Sequence, residues 1–153
     1  MALTPQERSK NMSAVRSKNT SPEIKVRKEL HRRGLRFRLH KKQLPGNPDI
    51  TLSKFKLVIF VHGCFWHQHQ GCKRATVPAT NQEFWQRKFL ANKNRDELVQ
   101  QMLKDAGWNV AIVWECETKS PEKLYTKLDQ IFSSLQLDNK TQCSQTTRLK
   151  KFT

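Results

Sequence analysis

One apolar run most limits what this chain can become: Leu57-Val58-Ile59-Phe60-Val61, closed by His62-Gly63 and followed at once by Cys64-Phe65-Trp66-His67-Gln68-His69-Gln70-Gly71-Cys72. A run this short cannot span a bilayer, which takes about 20 apolar residues. Its β-branched and aromatic side chains predict a strand instead, and a strand this apolar must be covered by other elements. Its neighbours are legible on both sides. "LRFRLH" alternates Leu35, Phe37 and Leu39 with basic residues, as a half-buried strand does, "DITL" makes a second strand, and "WNVAIVWEC" makes a further buried one.

Helices are punctuated between them. Ser21-Pro22 opens one and Gly34 closes it, with Glu23, Val26 and Leu30 on one face. A capping box, Thr80-Asn81-Gln82-Glu83, opens a long helix ending near Gly107, whose predicted core stripe is Phe84, Ala91, Leu98 and Met102. Ser120-Pro121 opens a last helix with Leu124, Leu128, Ile131 and Leu135 on one side. Thr4-Pro5-Gln6-Glu7 reads as the start of a short N-terminal helix. The order is helix, three strands, helix, strand, helix, an α/β or α+β sheet covered by helices. Three segments follow: a basic arm over 1–19, a folded domain over 20–137, and a polar tail over 138–153.

Charge narrows the partner. The 153 residues carry 29 Lys and Arg against 13 Asp and Glu, a formal charge of +16. Such a surplus on one domain predicts a polyanion, and nucleic acid before a membrane, because no basic amphipathic anchor stands out. No membrane partner is expected. The N-terminus lacks the apolar stretch of a signal peptide, so a reducing, cytosolic setting is expected and the four cysteines read as thiols or metal ligands.

Cys64, His67, His69, Cys72 and Cys116 offer five borderline-soft ligands where a closed structural zinc site takes four. Spacing leaves open which histidine binds. Asp49 follows the rigid "PGNP" turn at the start of a strand, where it suits either a turn cap or a Mg²⁺ ligand for phosphodiester cleavage. His62 continues the row Val58, Phe60 at the end of its strand, within reach of Asp49, and a histidine there exchanges protons near neutral pH. Glu23 either steadies the first helical turn or points inward to that site. Phe65 and Trp66 either wedge between DNA bases or cover the ligand-rich loop. Trp85, Lys88 and Asn92 share one helix face, which suits contact with bases or simply solvent.

"SKNMSAV", "LPGNPDI", "VIFVHGCFWHQH", "VPAT", "EFW" and "GWNVAIVWEC", in this order, resemble the very-short-patch-repair (Vsr) endonuclease family over about residues 8–135. The resemblance implies a restriction-endonuclease-like fold, with a central mixed sheet flanked by helices and a structural zinc site. It also implies a Mg²⁺-dependent enzyme that nicks one strand 5′ of the thymine in a T·G mismatch left by deamination of 5-methylcytosine. By position it implies Asp49 and the Val61 carbonyl as Mg²⁺ ligands, His62 and His67 as catalytic histidines supported by Glu23, and zinc on Cys64, His69, Cys72 and Cys116. Phe65, Trp66 and Trp85 match DNA wedges, Met12 lies in an arm closing over the opposite groove, and Lys88 and Asn92 match positions near the mismatch. A monomer working on double-stranded DNA in a bacterial-type cytoplasm, alongside mismatch-repair proteins, is implied as well. Val61 stands where the family pattern has threonine, Gly71 adds a residue before Cys72, and no Glu-x-Lys follows Asp49. The competing readings are a zinc-containing DNA-binding module without activity and a restriction-type enzyme cutting matched duplex.

Overall fold

In the computed structural model the described residues are 18–149 with Thr4 and Gln6, and side chains are described through Leu135. The arm with Met12, most of the expected N-terminal helix and the Cys143 side chain lie outside them. Thr20 caps the first helix, α1 (Ser21–Arg32), by accepting the Glu23 N–H, and Pro22 sits in its first turn, where a missing N–H costs nothing. Strands β1 (Arg38–Leu39), β2 (Ile50–Leu52) and β3 (Leu57–His62) follow, then α2 (Gln82–Asp105), β4 (Asn109–Trp114) and α3 (Pro121–Leu149). Neither proline nor glycine interrupts the chain after Pro121, and α3 runs on through the stretch where a tail is expected from 138.

The sheet is mixed, in the order β1-β2-β3-β4, with antiparallel pairs at β1·β2 and β2·β3 and a parallel pair at β3·β4. Alternation along β3 sends Leu57 and Ile59 to one face and Val58 and Phe60 to the other. The first face packs on Val26 and Leu30 of α1 and on Leu124, Leu128 and Leu135 of α3, all buried. The second packs on Leu103 and Val99 of α2. Each fully buried leucine or isoleucine contributes about 1.5–3 kcal/mol, so the sheet's two faces supply most of the driving force for folding.

The predicted stripe on α2 is corrected. Phe84, Leu98 and Met102 are 55%, 62% and 47% exposed, and Ala91 is exposed too. The inward face is Trp85, Phe89, Asn92, Asp96, Val99 and Leu103, spaced four, three, four, three and four. Counting apolar residues finds the wrong face because half of the inward stripe lines a polar cleft rather than the core. Asn81, left-handed at φ 54, precedes this helix in place of a Thr80 cap.

Candidate active site and metal cluster

β3 and β4 run parallel, so both deliver the groups at their C-terminal ends to one edge of the sheet, where His62 lies opposite Trp114. Asp49 joins them from the start of β2. Its Oδ2 accepts the Val61 N–H at 2.8 Å, continuing the ladder where β2 runs out. In an antiparallel pair the N–H and C=O of one residue face the same neighbour, so the Val61 carbonyl also turns toward the Asp49 side. Gly46, at φ +74, lets the preceding turn lie on α2: a Cβ there would collide with Val99 Cγ1.

One ligand atom each from Glu23, His40 and Asp49 lies within 4.8 Å of the others. Burial pushes the Asp49 carboxyl up to about 6; the Val61 N–H opposes this and nearby Glu23 adds to it. A buried and a half-buried carboxylate beside a carbonyl turned the same way make the hard oxygen set that suits Mg²⁺. These residues fit such an ion.

A second group gathers alongside. The His62 and His67 rings stack at 3.8 Å between centroids and 5° between planes, and His67 Nδ1 donates to Asp96 Oδ2 at 2.6 Å. Burial, and then His67, hold His62 well below the usual imidazole range, leaving it neutral at pH 7. Burial works against ionising Asp96, but the His67 hydrogen bond and charge outweigh it and its pKa falls. Both groups open into one cleft of about 820 Å³, which Lys18, Asn47 and Arg95 also line. His62 stacks on His67 and lines the same cleft as Asp49. Asp96 escaped the sequence reading, yet the inward heptad of α2 points to it.

Beyond His62 the chain turns into the cysteine-rich loop. Ligand atoms of Cys64, His69, Cys72 and Cys116 all lie within 4.8 Å of one another, with His69 Nδ1 3.7 Å from Cys64 Sγ and 3.4 Å from Cys116 Sγ. Tetrahedral zinc with ordinary bond lengths sets S···N edges of roughly 3.5 Å. The donors fit that geometry, and His67, turned to Asp96, is excluded from it. Without a cation, burial drives the Cys64 thiol up to about 12, a proton that a bound metal would displace. Gly71, at φ +77, makes a left-handed turn immediately before Cys72. Trp114 stacks on His69 at 4.1 Å and meets His62 edge-on at 5.4 Å, so one indole separates the metal cluster from the histidine pair.

Phe65 sits edge-to-face with Trp66, Trp85 and Phe89 at 5.1–5.5 Å, and Lys88 Nζ lies 5.5 Å over Trp66. The aromatic groups expected as wedges therefore form one cluster at the rim of the cleft. Asn92 donates to the Trp66 carbonyl at 3.0 Å, which makes it a brace for this loop.

A profile of the family described as DNA mismatch endonuclease Vsr matches residues 2–74. The chain is 47% identical over 129 residues to the type II nicking enzyme V.XorIIP of Xanthomonas oryzae pv. oryzae, covering 84% of this chain and 94% of that protein. It is 40% identical over 129 residues to the type II nicking enzyme V.NmeAIP of Neisseria meningitidis, covering 84% and 91%. It is 44% identical over 117 residues to the DNA mismatch endonuclease Vsr of Escherichia coli K12, covering 76% and 74%. Similarity of this extent, over a chain with a histidine–carboxylate cleft, establishes that the protein belongs to the Vsr family of DNA mismatch endonucleases.

Proposed function

We propose that this endonuclease nicks one strand of double-stranded DNA on the 5′ side of the thymine in a T·G mismatch, with Mg²⁺ as cofactor, on a restriction-endonuclease-like fold held by zinc. The observation that carries the reading is the joining of a carboxylate cluster (Glu23, Asp49) and a histidine pair aligned by Asp96 in one cleft rimmed by aromatics. Mg²⁺ bound at Asp49 and the Val61 carbonyl, with Glu23 beside them, would neutralise charge developing on the phosphate. Asp96 accepts from His67 Nδ1 and so leaves Nε2 with a lone pair able to take a proton from water. Neutral His62, stacked on that ring, keeps it in plane.

Phe65, Trp66 and Trp85 serve as the wedge that opens the stack beside the mismatch, which costs least where pairing is already weak. Lys88 is held beside them by its cation–π contacts, and Asn92 braces the loop. Met12 completes the grip from the arm. Cys64, His69, Cys72 and Cys116 would hold zinc, which would tie this loop to the turn that follows β4. The setting is the DNA-containing cytoplasm and the working form a monomer, with mismatch-repair proteins as further partners; no described helix is long and apolar enough to cross a membrane.

The test is strand cleavage of an end-labelled duplex holding one T·G pair against its matched C·G twin, with and without Mg²⁺. A single Mg²⁺-dependent nick beside the thymine, absent from the twin, supports the reading. Binding without cleavage in any metal would replace it with a binding module, and cutting of both strands of the twin would replace it with a restriction-type enzyme.

A further inference from the structure

Arg27 belongs to neither the catalytic nor the DNA-contacting set, yet it bonds to two residues that line the cleft, Glu23 and His40. It follows Glu23 by one turn of α1, and only 16% of its side chain is exposed. Its Nη2 reaches Glu23 Oε2 at 2.9 Å, Asn19 Oδ1 at 2.9 Å and His40 Nε2 at 3.0 Å. A guanidinium only donates, and the two N–H groups of Nη2 are shared among these three acceptors. The backbone closes the circuit: the His40 N–H donates to the Asp49 carbonyl at 3.2 Å, and the Asn19 N–H gives Glu23 Oε2 a second bond at 3.1 Å.

The two bonds that reach the Glu23 carboxylate both fall on Oε2. Among the described residues no hydrogen bond falls on the other oxygen, Oε1, and Glu23 lines the cleft. Arg27 Nε is buried with no partner among the described residues, which costs stability.

We propose that Arg27 is a positioning residue for the nicking reaction. It clamps Glu23 by Oε2 so that Oε1 faces the cleft beside Asp49, and it ties that carboxylate to the root of the N-terminal arm at Asn19 and to the strand end at His40. The inference rests on Glu23 being part of the active site, and it assigns Arg27 no contact with DNA. Its charge also offsets the repulsion that Glu23 exerts on Asp49.

The experiment is steady-state nicking of the T·G duplex at saturating Mg²⁺ by the full chain carrying Arg27→Met, Arg27→Lys, Glu23→Gln or both Arg27→Met and Glu23→Gln. DNA affinity without Mg²⁺ and the melting temperature are measured in parallel. Arg27→Met should lower kcat roughly ten- to a hundredfold, the scale of a small misplacement of a reacting group, with KM for DNA unchanged. Arg27→Lys should recover most of that loss, and the double variant should be no slower than Glu23→Gln alone, since a residue acting only through Glu23 has nothing further to lose. A wild-type kcat in Arg27→Met, losses that multiply in the double variant, or a raised KM with weaker DNA binding would each overturn the proposal. Glu23→Gln at the wild-type rate would instead remove the reading of Glu23, and this inference with it. Should Arg27→Met fail to fold, His40→Asn, which tolerates the left-handed backbone but falls short of Arg27, should lower kcat alone, and a wild-type kcat there overturns the clamp.

Discussion

Replacing Asp49 with asparagine should make the Mg²⁺-free protein more stable while abolishing its nicking. The carboxyl is largely withdrawn from water and close to Glu23, so its pKa in the fold is about 6 against an ordinary 3.8. A carboxyl raised in this way binds its proton more tightly folded than unfolded. Its ionisation therefore costs stability, by nothing below the unfolded pKa and by the full amount above the folded one. At 1.36 kcal/mol per pH unit the full cost is about 3 kcal/mol, and solvent at the cleft mouth brings the expected gain to about 1–3 kcal/mol. The substituted side chain still accepts the Val61 N–H through its amide oxygen, so the hydrogen bond that continues β2 is kept. For a chain of this size the gain corresponds to roughly 3–10 °C in Tm. Urea unfolding followed by tryptophan fluorescence, in buffer free of Mg²⁺ and of chelator so that any metal on the cysteine cluster is retained, measures it at pH 7.5 and pH 5. The gain at pH 5 should be roughly half that at pH 7.5. An Asp49→Asn protein no more stable than its parent at pH 7.5, or stabilised equally at both pH values, refutes the electrostatic argument.

Asp96→Asn replaces a carboxylate that can only accept from His67 Nδ1 with an amide that can also donate, so the His67 tautomer is no longer fixed; single-turnover nicking should slow by about 10²–10⁴-fold with DNA affinity unchanged, whereas a rate within about threefold of the parent would disconnect Asp96 from the chemistry. Cys116→Ser takes one donor from the metal cluster, and bound zinc by mass spectrometry and Tm should fall together; a zinc-free parent of full stability would contradict the structural role. Glu29, buried and hydrogen-bonded first to Arg32 and also to Arg33, has its pKa pulled down to about 2. Its contribution is complete above the unfolded value near 4.5 and disappears as pH falls through 2, so the deficit of Glu29→Gln in urea, about 1–3 kcal/mol at pH 7, should be smaller at pH 3. An equal deficit at both would place the loss in packing.

Local rules carried far in this chain because its elements are short and sharply punctuated. Pro22 and Gly34 bracket α1, the apolar run from Leu57 forms the buried strand β3, and the α3 stripe of Leu124, Leu128 and Leu135 is buried as its spacing requires, whereas the alternation read over Leu35, Phe37 and Leu39 leaves only the exposed pair Arg38–Leu39 as strand. The metal donors were legible as a set, but the choice between His67 and His69 was not. It turns on Asp96, which lies 29 residues further along and claims the His67 ring. The face of α2 was misread for a related reason. Apolar periodicity reports burial in a core, and the half of this helix that meets the cleft buries Asn92 and Asp96 where a core would have leucine.

By itself the sequence determined the class of fold, the basic surface suited to DNA and the chemical inventory of the site, since composition, spacing and turn residues are local properties that survive in the unfolded chain. Only the tertiary structure decided which groups meet. The parallel pairing of β3 with β4 brings Trp114 against His62, the β2 ladder hands Val61 to Asp49, and α1 folds Arg27 and Glu23 over the strand end at His40. Those encounters join residues far apart in the chain through loop closures that no local signal encodes, and the reactivity of each group is set by the neighbours it acquires there.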